Sequence, residues 1–225
     1  MEKVIIDCWN NSIDEIREKI KCKNGELFIK AAHITSSIDN EEYIKNHGLL
    51  ELNSLLKDNS SPISKFLHTY GINIDINKSQ INYNGNTIPI CNDYSPSYLW
   101  QELYSKKTTR ESFVYTDKGI TDFDYQCVRY APEILSRIQC YLNDKTYVRN
   151  NLAQEWAIKC KTIVYTFNVP INKLVLNNGE YICIEEFLSD IISMKSFNMK
   201  NDSFLAYGIS NDFVINYNDM TKVDI

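Results

Sequence analysis

The stretch FIKAAHITSSIDNEEYIKNHGLL (residues 28–50) contains the signals of a strand, a polar turn and a short helix in direct succession. Its apolar beginning predicts a strand over Leu27–His33. The turn leads into a helix from about Asn40 to Asn46, and Gly48 stands where a left-handed residue commonly ends a helix. We therefore expect His33 at the end of a buried strand, beside a turn with free backbone groups.

Upstream of this stretch, the chain is predicted to form a strand over residues 3–9 and then a helix. Ser12 followed by Glu15 is a capping box, in which each side chain bonds the backbone N–H of the other residue. Apolar residues then recur at helical spacing until Asn24-Gly25 interrupts the pattern. These two signals predict the beginning and the end of the first helix.

Downstream, residues 57–98 are predicted to be an insertion that consists of a helix and a β-hairpin. Pro62 suits the first turn of a helix, because its missing N–H would have no helical partner there. Residues 72–90 alternate apolar and polar side chains around Asn84-Gly85, a strong signature of a two-residue hairpin turn.

The second half of the chain is predicted to be richer in strands. Residues 105–124 are polar and irregular, which favours a mobile loop. Residues 152–169 are predicted to form one long strand or two strands in tandem. The remaining predictions are a strand at Tyr125–Tyr130, a helix begun by Pro132, a hairpin around Asn178-Gly179, a helix over residues 185–194 and two strands within residues 204–218.

This order of elements predicts an α+β fold in a single domain over residues 1–225, with antiparallel or mixed sheets and flanking helices. The sequence shows no internal repeat, no low-complexity linker and no regular alternation of strands with helices. Its seven glycines fall in neither the GxGxxG nor the GxxxxGK[ST] spacing. The pattern therefore argues against a Rossmann fold and against a P-loop NTPase.

Composition narrows the class of protein further. Of the 225 residues, 44% are hydrophobic and 24% are charged, as in ordinary soluble globular proteins. The start of the chain does not resemble a secretory signal and no apolar run reaches transmembrane length, so we expect a cytoplasmic protein without a membrane partner. Seven cysteines without a CxxC pair indicate reduced thiols and no bound metal.

The formal net charge of −5 gives no global sign of nucleic-acid binding, which usually requires a basic face. A local basic cleft is compatible with that charge. Fifteen tyrosines supply side chains that can stack on bases or on a nucleotide cofactor, although codon bias produces the same composition.

His33 and Thr35 are the first candidate site residues. A histidine at a strand end can bond a ribose hydroxyl with one ring nitrogen while the backbone fixes the other nitrogen. The alternative is a core histidine whose nitrogens are both bonded internally. So short a motif does not choose between these two roles.

Glu155 and Glu180 are the candidate catalytic carboxylates. Glu155 stands among apolar residues, and a carboxylate in an apolar strand requires a partner or a ligand. Such a group can stabilise a cationic, oxocarbenium-like transition state, whereas the alternative is an exposed glutamate at a strand edge. Glu180 follows a turn and precedes the apolar segment YICI (residues 181–184), and it is the reserve candidate.

Arg110 and Tyr130 are candidates for contacts with the phosphate and ring parts of a ligand. Arg110, in SKKTTRES (residues 105–112), has a planar guanidinium that can bond a pyrophosphate with two N–H groups. A solvated basic loop is the alternative. Tyr130 can stack on a nicotinamide or a base, or it can fill the core.

Taken in order, these segments resemble the ADP-ribosyltransferases, in particular the DarT-type toxins that modify nucleic acid. The resemblance covers about residues 30–170, and this sequence departs from the family pattern over residues 57–98 and at Glu133, where the family has an arginine. The matching segments are AAHITSSIDNEEYIKNHGLL (31–50), SKKTTRES (105–112), YQCVRYAPEIL (125–135), AQEWAI (153–158) and FNVP (167–170).

The resemblance implies an ADP-ribosyltransferase-like split sheet and NAD as co-substrate. It implies that His33 and Thr35 hold the ribose and nicotinamide end of NAD, where Tyr130 can stack. Arg110 would contact phosphate or substrate, and Glu155 would be the catalytic glutamate. The expected partners are an RNA or DNA acceptor and a neutralising antitoxin.

Two further functions fit the same residues. The first is a non-catalytic interaction protein, such as an antitoxin or a phage-defence adaptor, that uses the α+β scaffold as a surface. The second is an NAD glycohydrolase, in which water replaces the macromolecular acceptor. The sequence does not choose between these functions and the transferase.

Overall fold

The computed structural model describes residues 2–21, 25–92, 98–105, 110–116, 130–176, 179–196 and 204–223. Within them, a π-helical turn lies at Gln101–Ser105, and 3-10 turns lie at Ile171–Lys173 and Tyr217–Asp219. The regular elements are, in chain order, β1 (Glu2–Ile6), α1 (Ile13–Lys21), β2 (Gly25–Ser37), α2 (Glu42–His47), α3 (Leu52–Lys57), α4 (Pro62–Thr69), β3 (Ile72–Asp75), β4 (Gln80–Tyr83), β5 (Asn86–Pro89), β6 (Arg110–Thr116), α5 (Glu133–Thr146), α6 (Leu152–Lys159), β7 (Lys161–Pro170), β8 (Leu174–Val175), α7 (Ile184–Ser196), β9 (Phe204–Ile209) and β10 (Thr221–Val223).

The architecture is α+β with mixed and antiparallel sheets, as predicted. One sheet has the strand order β10-β7-β2-β6-β9-β8, and β1 also pairs with β2. The β1–β2 pair is parallel, whereas the β10–β7, β2–β6, β6–β9 and β8–β9 pairs are antiparallel. Strands β3, β4 and β5 form a second, fully antiparallel sheet.

The contacts within the chain divide the described residues into two compact units. The first unit takes the described residues within 1–34, 109–124 and 164–225, and it contains most of the larger sheet. The second unit takes those within 35–108 and 125–163, and it contains helices α2 to α6 and the three-stranded sheet. The segment 57–98 belongs to the second unit.

Strand β2 is longer than predicted, and it places His33 in its interior rather than at its end. The β-branched Ile34 and Thr35 favour extended backbone, so the strand continues past the histidine to Ser37. Residues on both faces of the strand are buried, which explains why its apolar run does not alternate with polar residues. These buried residues are Phe28, Ile29, Ala31, Ala32 and Ile34.

The first helix begins at the predicted capping box. The Ser12 backbone N–H donates to a carboxylate oxygen of Glu15 at 2.6 Å, and the Glu15 N–H donates to the Ser12 hydroxyl at 3.2 Å. This reciprocal pair satisfies N–H groups that have no partner within the helix. Ile16 on the same helix is buried in the first unit.

The second unit has a continuous apolar core that joins its helices to its small sheet. Trp156 is almost fully buried, and its ring meets Phe66 edge to face, with 5.1 Å between the ring centroids. Other members of this core are Leu67, Ile72, Ile81, Leu99, Leu135, Ile138, Tyr141 and Leu152.

The predicted helix and hairpin within residues 57–98 are confirmed. Pro62 is the first residue of α4, and the hydroxyl of Ser61 caps the helix by accepting from the Ser64 N–H at 3.1 Å. Between β4 and β5, Asn84 and Gly85 have φ angles of 50° and 84°. Two successive positive φ angles are those of a type I′ turn, whose twist matches that of the strands it joins.

The prediction of strand over residues 152–169 is wrong in its first half, where residues 152–159 form helix α6. Leu152 and Trp156 are the buried residues of this segment, and their spacing of four places both on one helix face. The apolar residues of 152–169 as a whole suggested a strand, but the burial in 152–159 follows the helical period. Strand β7 begins after the helix, at Lys161.

The prediction of a loop over residues 105–124 is wrong at 110–116, which form strand β6. This strand pairs with β9 from Arg110 opposite Ile209 to Thr116 opposite Phe204. Phe113 and Val114 are buried, so apolar burial and sheet pairing outweigh the polar composition of the segment. Residues 106–109 and 117–124 lie outside the described residues.

Several remaining predictions concern helix ends and the last strands. Helix α5 begins directly after Pro132, as predicted. Gly48 ends helix α2, also as predicted: its φ is 72°, and its N–H donates to the Ile44 carbonyl. Residues 204–218 are predicted to contain two strands but contain one, β9. The next strand, β10, begins only at Thr221. The predicted strand at 125–130 lies outside the described residues except for its last residue.

Among the described residues, no helix combines the length and apolar character that crossing a bilayer requires.

Candidate functional site

His33 is half-buried on β2, and the backbone fixes one of its ring nitrogens. Its Nδ1 lies 2.8 Å from the carbonyl oxygen of Glu111 on β6. Because a carbonyl only accepts, Nδ1 carries the proton, and Nε2 of the neutral ring is an acceptor. Burial, with a smaller contribution from the positive charge of Arg110, lowers the pKa of His33 below its ordinary value. The ring therefore has the protonation that the predicted ribose contact requires.

Arg110 is buried at the start of β6. The alternative given by the sequence, an exposed basic loop, is therefore wrong for this residue. Its Nη2 donates to the carbonyl oxygen of Ser210 at 2.7 Å and to that of Phe213. The guanidinium thereby ties β6 to the turn that follows β9, since buried carbonyl groups need donors. A contact with a ligand phosphate would require these bonds to be exchanged.

Glu155 lies on the first turn of helix α6 with its side chain partly exposed. The next residue, Trp156, anchors the helix, because its Nε1 donates to the Ser36 hydroxyl at 2.8 Å. Ser36 directly follows Thr35 near the end of β2. One buried hydrogen bond therefore links the helix that carries Glu155 to the strand end that carries Thr35.

Tyr130 lies at the other end of the same helix. Cys160 directly follows α6, and its Sγ–H donates to the Tyr130 carbonyl at 3.0 Å. The Tyr130 side chain is 49% exposed, which leaves ring surface for stacking and excludes the alternative of a core tyrosine.

The structure thus brings the predicted site residues together in two sets. Thr35, Tyr130 and Glu155 lie on segments that meet at α6 in the second unit, whereas His33 and Arg110 lie in the first unit. The reserve candidate Glu180 is exposed in the first unit, and its carbonyl accepts from the Leu176 N–H at 2.8 Å.

Sequence reasoning did not predict the aromatic pair of helix α2. The rings of Tyr43 and His47 stack with centroids 4.1 Å apart, and the Tyr43 hydroxyl donates to Asp58 at 2.5 Å. This bond, with two more from Ser60, holds the pKa of Asp58 at about 2. The spacing of four residues between an aromatic side chain and a histidine was the signal that could have revealed the stack.

Two clefts of similar size lie in the described part of the chain, one in each unit. The cleft of the first unit, about 350 Å³, has an apolar wall that includes Phe28, Phe167 and Phe213. The cleft of the second unit, about 380 Å³, lies against the Tyr43–His47 stack. None of the five predicted site residues lines either cleft. Among the described residues, no group of three or more His, Cys, Asp or Glu side chains is arranged to hold a metal ion.

No protein-family profile, curated protein or solved structure matches this chain. The interpretation of the site therefore rests on its own residues. The arrangement around α6 combines an accessible carboxylate, an exposed tyrosine ring and a threonine within one unit, which are groups that can contact a nucleotide ligand.

Proposed function

We propose that the protein is an NAD-dependent ADP-ribosyltransferase that modifies a nucleic acid, RNA or DNA, as a toxin or a phage-defence effector. The observation that supports this proposal is that two hydrogen bonds tie helix α6, which carries Glu155, to the other candidates: Trp156 bonds Ser36, the neighbour of Thr35, and Cys160 bonds the Tyr130 carbonyl. The resemblance assigns Thr35 and Glu155, which are far apart in the sequence, to one NAD site, and Tyr130 is a residue that can stack there.

The residue types suit the parts of NAD that they would meet. Tyr130 offers an exposed ring for the nicotinamide, and Glu155 offers a partly exposed carboxylate. His33 belongs to the first unit, and its neutral ring, with Nε2 as an acceptor, suits a ribose hydroxyl by its chemistry alone. Arg110 fits less well, because it donates to carbonyl groups of its own chain. In this proposal it is a structural residue rather than a phosphate ligand.

The proposed reaction breaks the bond between the nicotinamide nitrogen and the anomeric carbon of the ribose. The bonding electrons leave with nicotinamide, and positive charge develops on the ribose. Glu155 stabilises that charge, or accepts the proton that the acceptor loses as it attacks the anomeric carbon. The new bond joins ADP-ribose to the acceptor, and nicotinamide is released.

The distribution of charge is compatible with a nucleic-acid acceptor at the second unit. The acidic surplus of the chain falls in the segments of the first unit, whereas acidic and basic residues are nearly balanced in those of the second. Lys159 and Lys161 follow Glu155 at the end of α6 and are exposed. Ammonium groups at this place can attract a phosphate backbone.

The test uses the purified full chain with NAD labelled in its adenylate phosphate, and RNA, DNA or cell extract as acceptor. We expect transfer of the label to nucleic acid, accompanied by release of nicotinamide. Glu155→Gln is expected to lower transfer at least about 100-fold, the order found when a group that stabilises transition-state charge is removed. Glu133→Gln is the matched control, because its exposed pair with Arg137 should matter little to activity or stability.

Each outcome bears on a different part of the proposal. If the wild type releases no nicotinamide and transfers no label, the protein is not an ADP-ribosyltransferase, and the non-catalytic interaction protein is favoured. If free ADP-ribose forms without a labelled macromolecule, the protein is an NAD glycohydrolase. If Glu155→Gln keeps full activity, the assignment of the catalytic residue is wrong, and Glu180→Gln is the next variant to measure. A toxin of this class would also need a neutralising partner, which the proposal includes.

A further inference from the structure

The cleft of about 380 Å³ in the second unit has walls suited to a ligand that is partly aromatic and partly anionic. Its lining consists of the stacked residues Tyr43 and His47, the apolar Ile38 and Pro62, the basic Lys65, and the polar residues Asp39, Glu42, Asn46 and Ser60. A cleft of this size that combines ring and apolar surface with polar groups can hold a small ligand.

The ring of His47 provides a surface on which a second aromatic ring can stack. Tyr43 covers one face of that ring, and Tyr43 itself is 8% exposed, whereas His47 is exposed. The His47 Nδ1 also donates to the Tyr43 carbonyl at 3.0 Å, so the ring is held in a fixed orientation. Its outer face can therefore receive a base with little loss of side-chain freedom.

The polar groups of the cleft differ in how far the protein already uses them. The Asp39 carboxylate accepts from the Ser37 hydroxyl at 2.6 Å and from the Tyr43 N–H at 2.9 Å. Asp58, behind the stack, accepts from Tyr43 and Ser60. Glu42 remains exposed at the rim, where solvent screens its charge. The two better-placed carboxylates are thus occupied by donors of the protein.

The ammonium groups around the cleft have weaker partners. Among the described residues, no carboxylate lies within 4 Å of the Lys65 or Lys161 Nζ. Lys161, which lies outside the lining of the cleft, donates to the neutral amide oxygen of Asn40 at 3.3 Å. Both lysines can therefore bind an anion without first breaking an ion pair.

We propose that this cleft binds a nucleoside monophosphate unit, with the base stacked on His47 and the phosphate bonded to Lys65. The unit can come from a free mononucleotide or from one nucleotide of a single strand, because the two present the same base and phosphate. This binding site is independent of the proposed transferase reaction, and its test requires no NAD.

The experiment is a calorimetric titration of the full-length protein with AMP and, in a second arm, with a short single-stranded oligonucleotide of adenylates. Inorganic phosphate and adenosine are titrated separately. We expect AMP to bind saturably and at least about tenfold more tightly than either part alone, since each wall of the cleft contributes to binding. An oligonucleotide that binds more than about tenfold tighter than AMP identifies the strand as the source, and equal affinities identify the free nucleotide.

Three variants test the assignment of residues. Lys65→Gln, which removes the charge of a surface residue and shortens its side chain by one atom, should weaken AMP binding about tenfold. His47→Ala should weaken it about fivefold. Lys78→Gln is the matched control, because Lys78 is an exposed lysine of the same unit outside the cleft. Circular dichroism verifies that each variant is folded.

The proposal is overturned if neither AMP nor the oligonucleotide binds saturably to the wild type. It is also overturned if Lys65→Gln, which should fold normally, binds both ligands as the wild type does. A loss in Lys78→Gln as large as that in Lys65→Gln would indicate nonspecific attraction of anions and would likewise refute a built site.

Discussion

The candidate site residues of the two units differ in how far the fold already uses their polar groups. In the first unit, Arg110 and His33 both donate hydrogen bonds to backbone carbonyl groups, and these bonds link strands and turns. In the second unit, Glu155, Lys65 and Lys161 are at least partly exposed on elements whose neighbouring residues are anchored in the core. Arg110 thus serves the fold with its guanidinium and His33 with Nδ1, which leaves only Nε2 of that ring for a ligand, whereas Glu155 and the two lysines are accessible on the surface.

Substituting one residue of each kind tests whether Arg110 stabilises the fold and Glu155 does not. Arg110→Ala should lower the free energy of unfolding by about 3 kcal/mol, because it leaves the carbonyl groups of Ser210 and Phe213 without their buried donor. Glu155→Gln should change it by less than about 0.5 kcal/mol, since it lies on a partly exposed helix face. Urea unfolding of both variants gives the two numbers.

Equal stability losses in these two variants would contradict the division between structural and available polar groups. So would an Arg110→Ala protein that unfolds at the same urea concentration as the wild type. In that case Arg110 would become a candidate ligand residue again, as the resemblance implied.

The link between helix α6 and strand β2 offers the next test. Trp156→Phe should lower the free energy of unfolding by about 2 kcal/mol, because it removes the bond to Ser36 and leaves space in the core beside Phe66. Ser36→Ala should cost about 1 to 2 kcal/mol, because the Trp156 N–H then stays buried without an acceptor. The double variant should lose less than the sum of the two.

Urea unfolding of the single and double variants measures this coupling directly. Strict additivity would show that the Trp156–Ser36 bond does not contribute to stability. The anchoring of Glu155 beside Thr35 would then lose its physical basis, although the transferase proposal could still be tested by activity.

Gly71 and Gly85 of the second unit differ in how much space surrounds them, so alanine should destabilise the protein to different degrees at the two positions. Gly71 and Gly85 both have positive φ angles, 68° and 84°. A methyl group on Gly71 would come within 2.0 Å of the Asn84 side-chain oxygen, whereas on Gly85 it would meet nothing within 4 Å. Alanine should therefore cost about 1 kcal/mol at Gly85, from backbone strain alone, and about 1 kcal/mol more at Gly71.

Thermal unfolding of the two alanine variants checks this difference. Gly85→Ala serves as the control for the strain that both share. If it destabilises the protein as much as Gly71→Ala does, the Asn84 side chain moves aside without cost, and the close approach at Gly71 does not constrain the hairpin.

The sequence predicted those elements whose signals are local. The capping box at Ser12 and Glu15, the proline at the start of α4 and the Asn84-Gly85 turn each depend on a few adjacent residues, and all three are confirmed. Such signals act through backbone geometry and short-range hydrogen bonds, which the surrounding fold changes little.

The sequence failed where tertiary contacts decide the structure. Residues 110–116 look polar, yet pairing with β9 makes them a strand, and residues 152–159 look like a strand until the burial of Leu152 and Trp156 is known. The candidate site shows the same limit. The basic segment 105–112 suggested Arg110 as an anion ligand. The sequence does not reveal that carbonyl groups about 100 residues later accept its hydrogen bonds.

The smallest predicted effect concerns the titration of His33 in the first unit. Its pKa is lowered in the folded protein, mainly by burial, from an ordinary value of 6.5. The folded state therefore favours the neutral ring, and this contribution to stability is complete above pH 6.5. It is lost as the pH falls below 6.5 toward the lowered pKa, because the unfolded chain binds the proton first.

Between about pH 6.5 and pH 5, the melting temperature of the wild type should consequently fall as the pH is lowered, before most carboxylates begin to titrate. His33→Gln cannot take up this proton, so its melting temperature should change less over the same interval. His68→Gln, at an exposed histidine of the second unit, is the matched control for the substitution itself. If His33→Gln retains the full dependence on pH, the imidazole is not held neutral by the fold, and its Nε2 would no longer be assigned as an acceptor for a ribose hydroxyl.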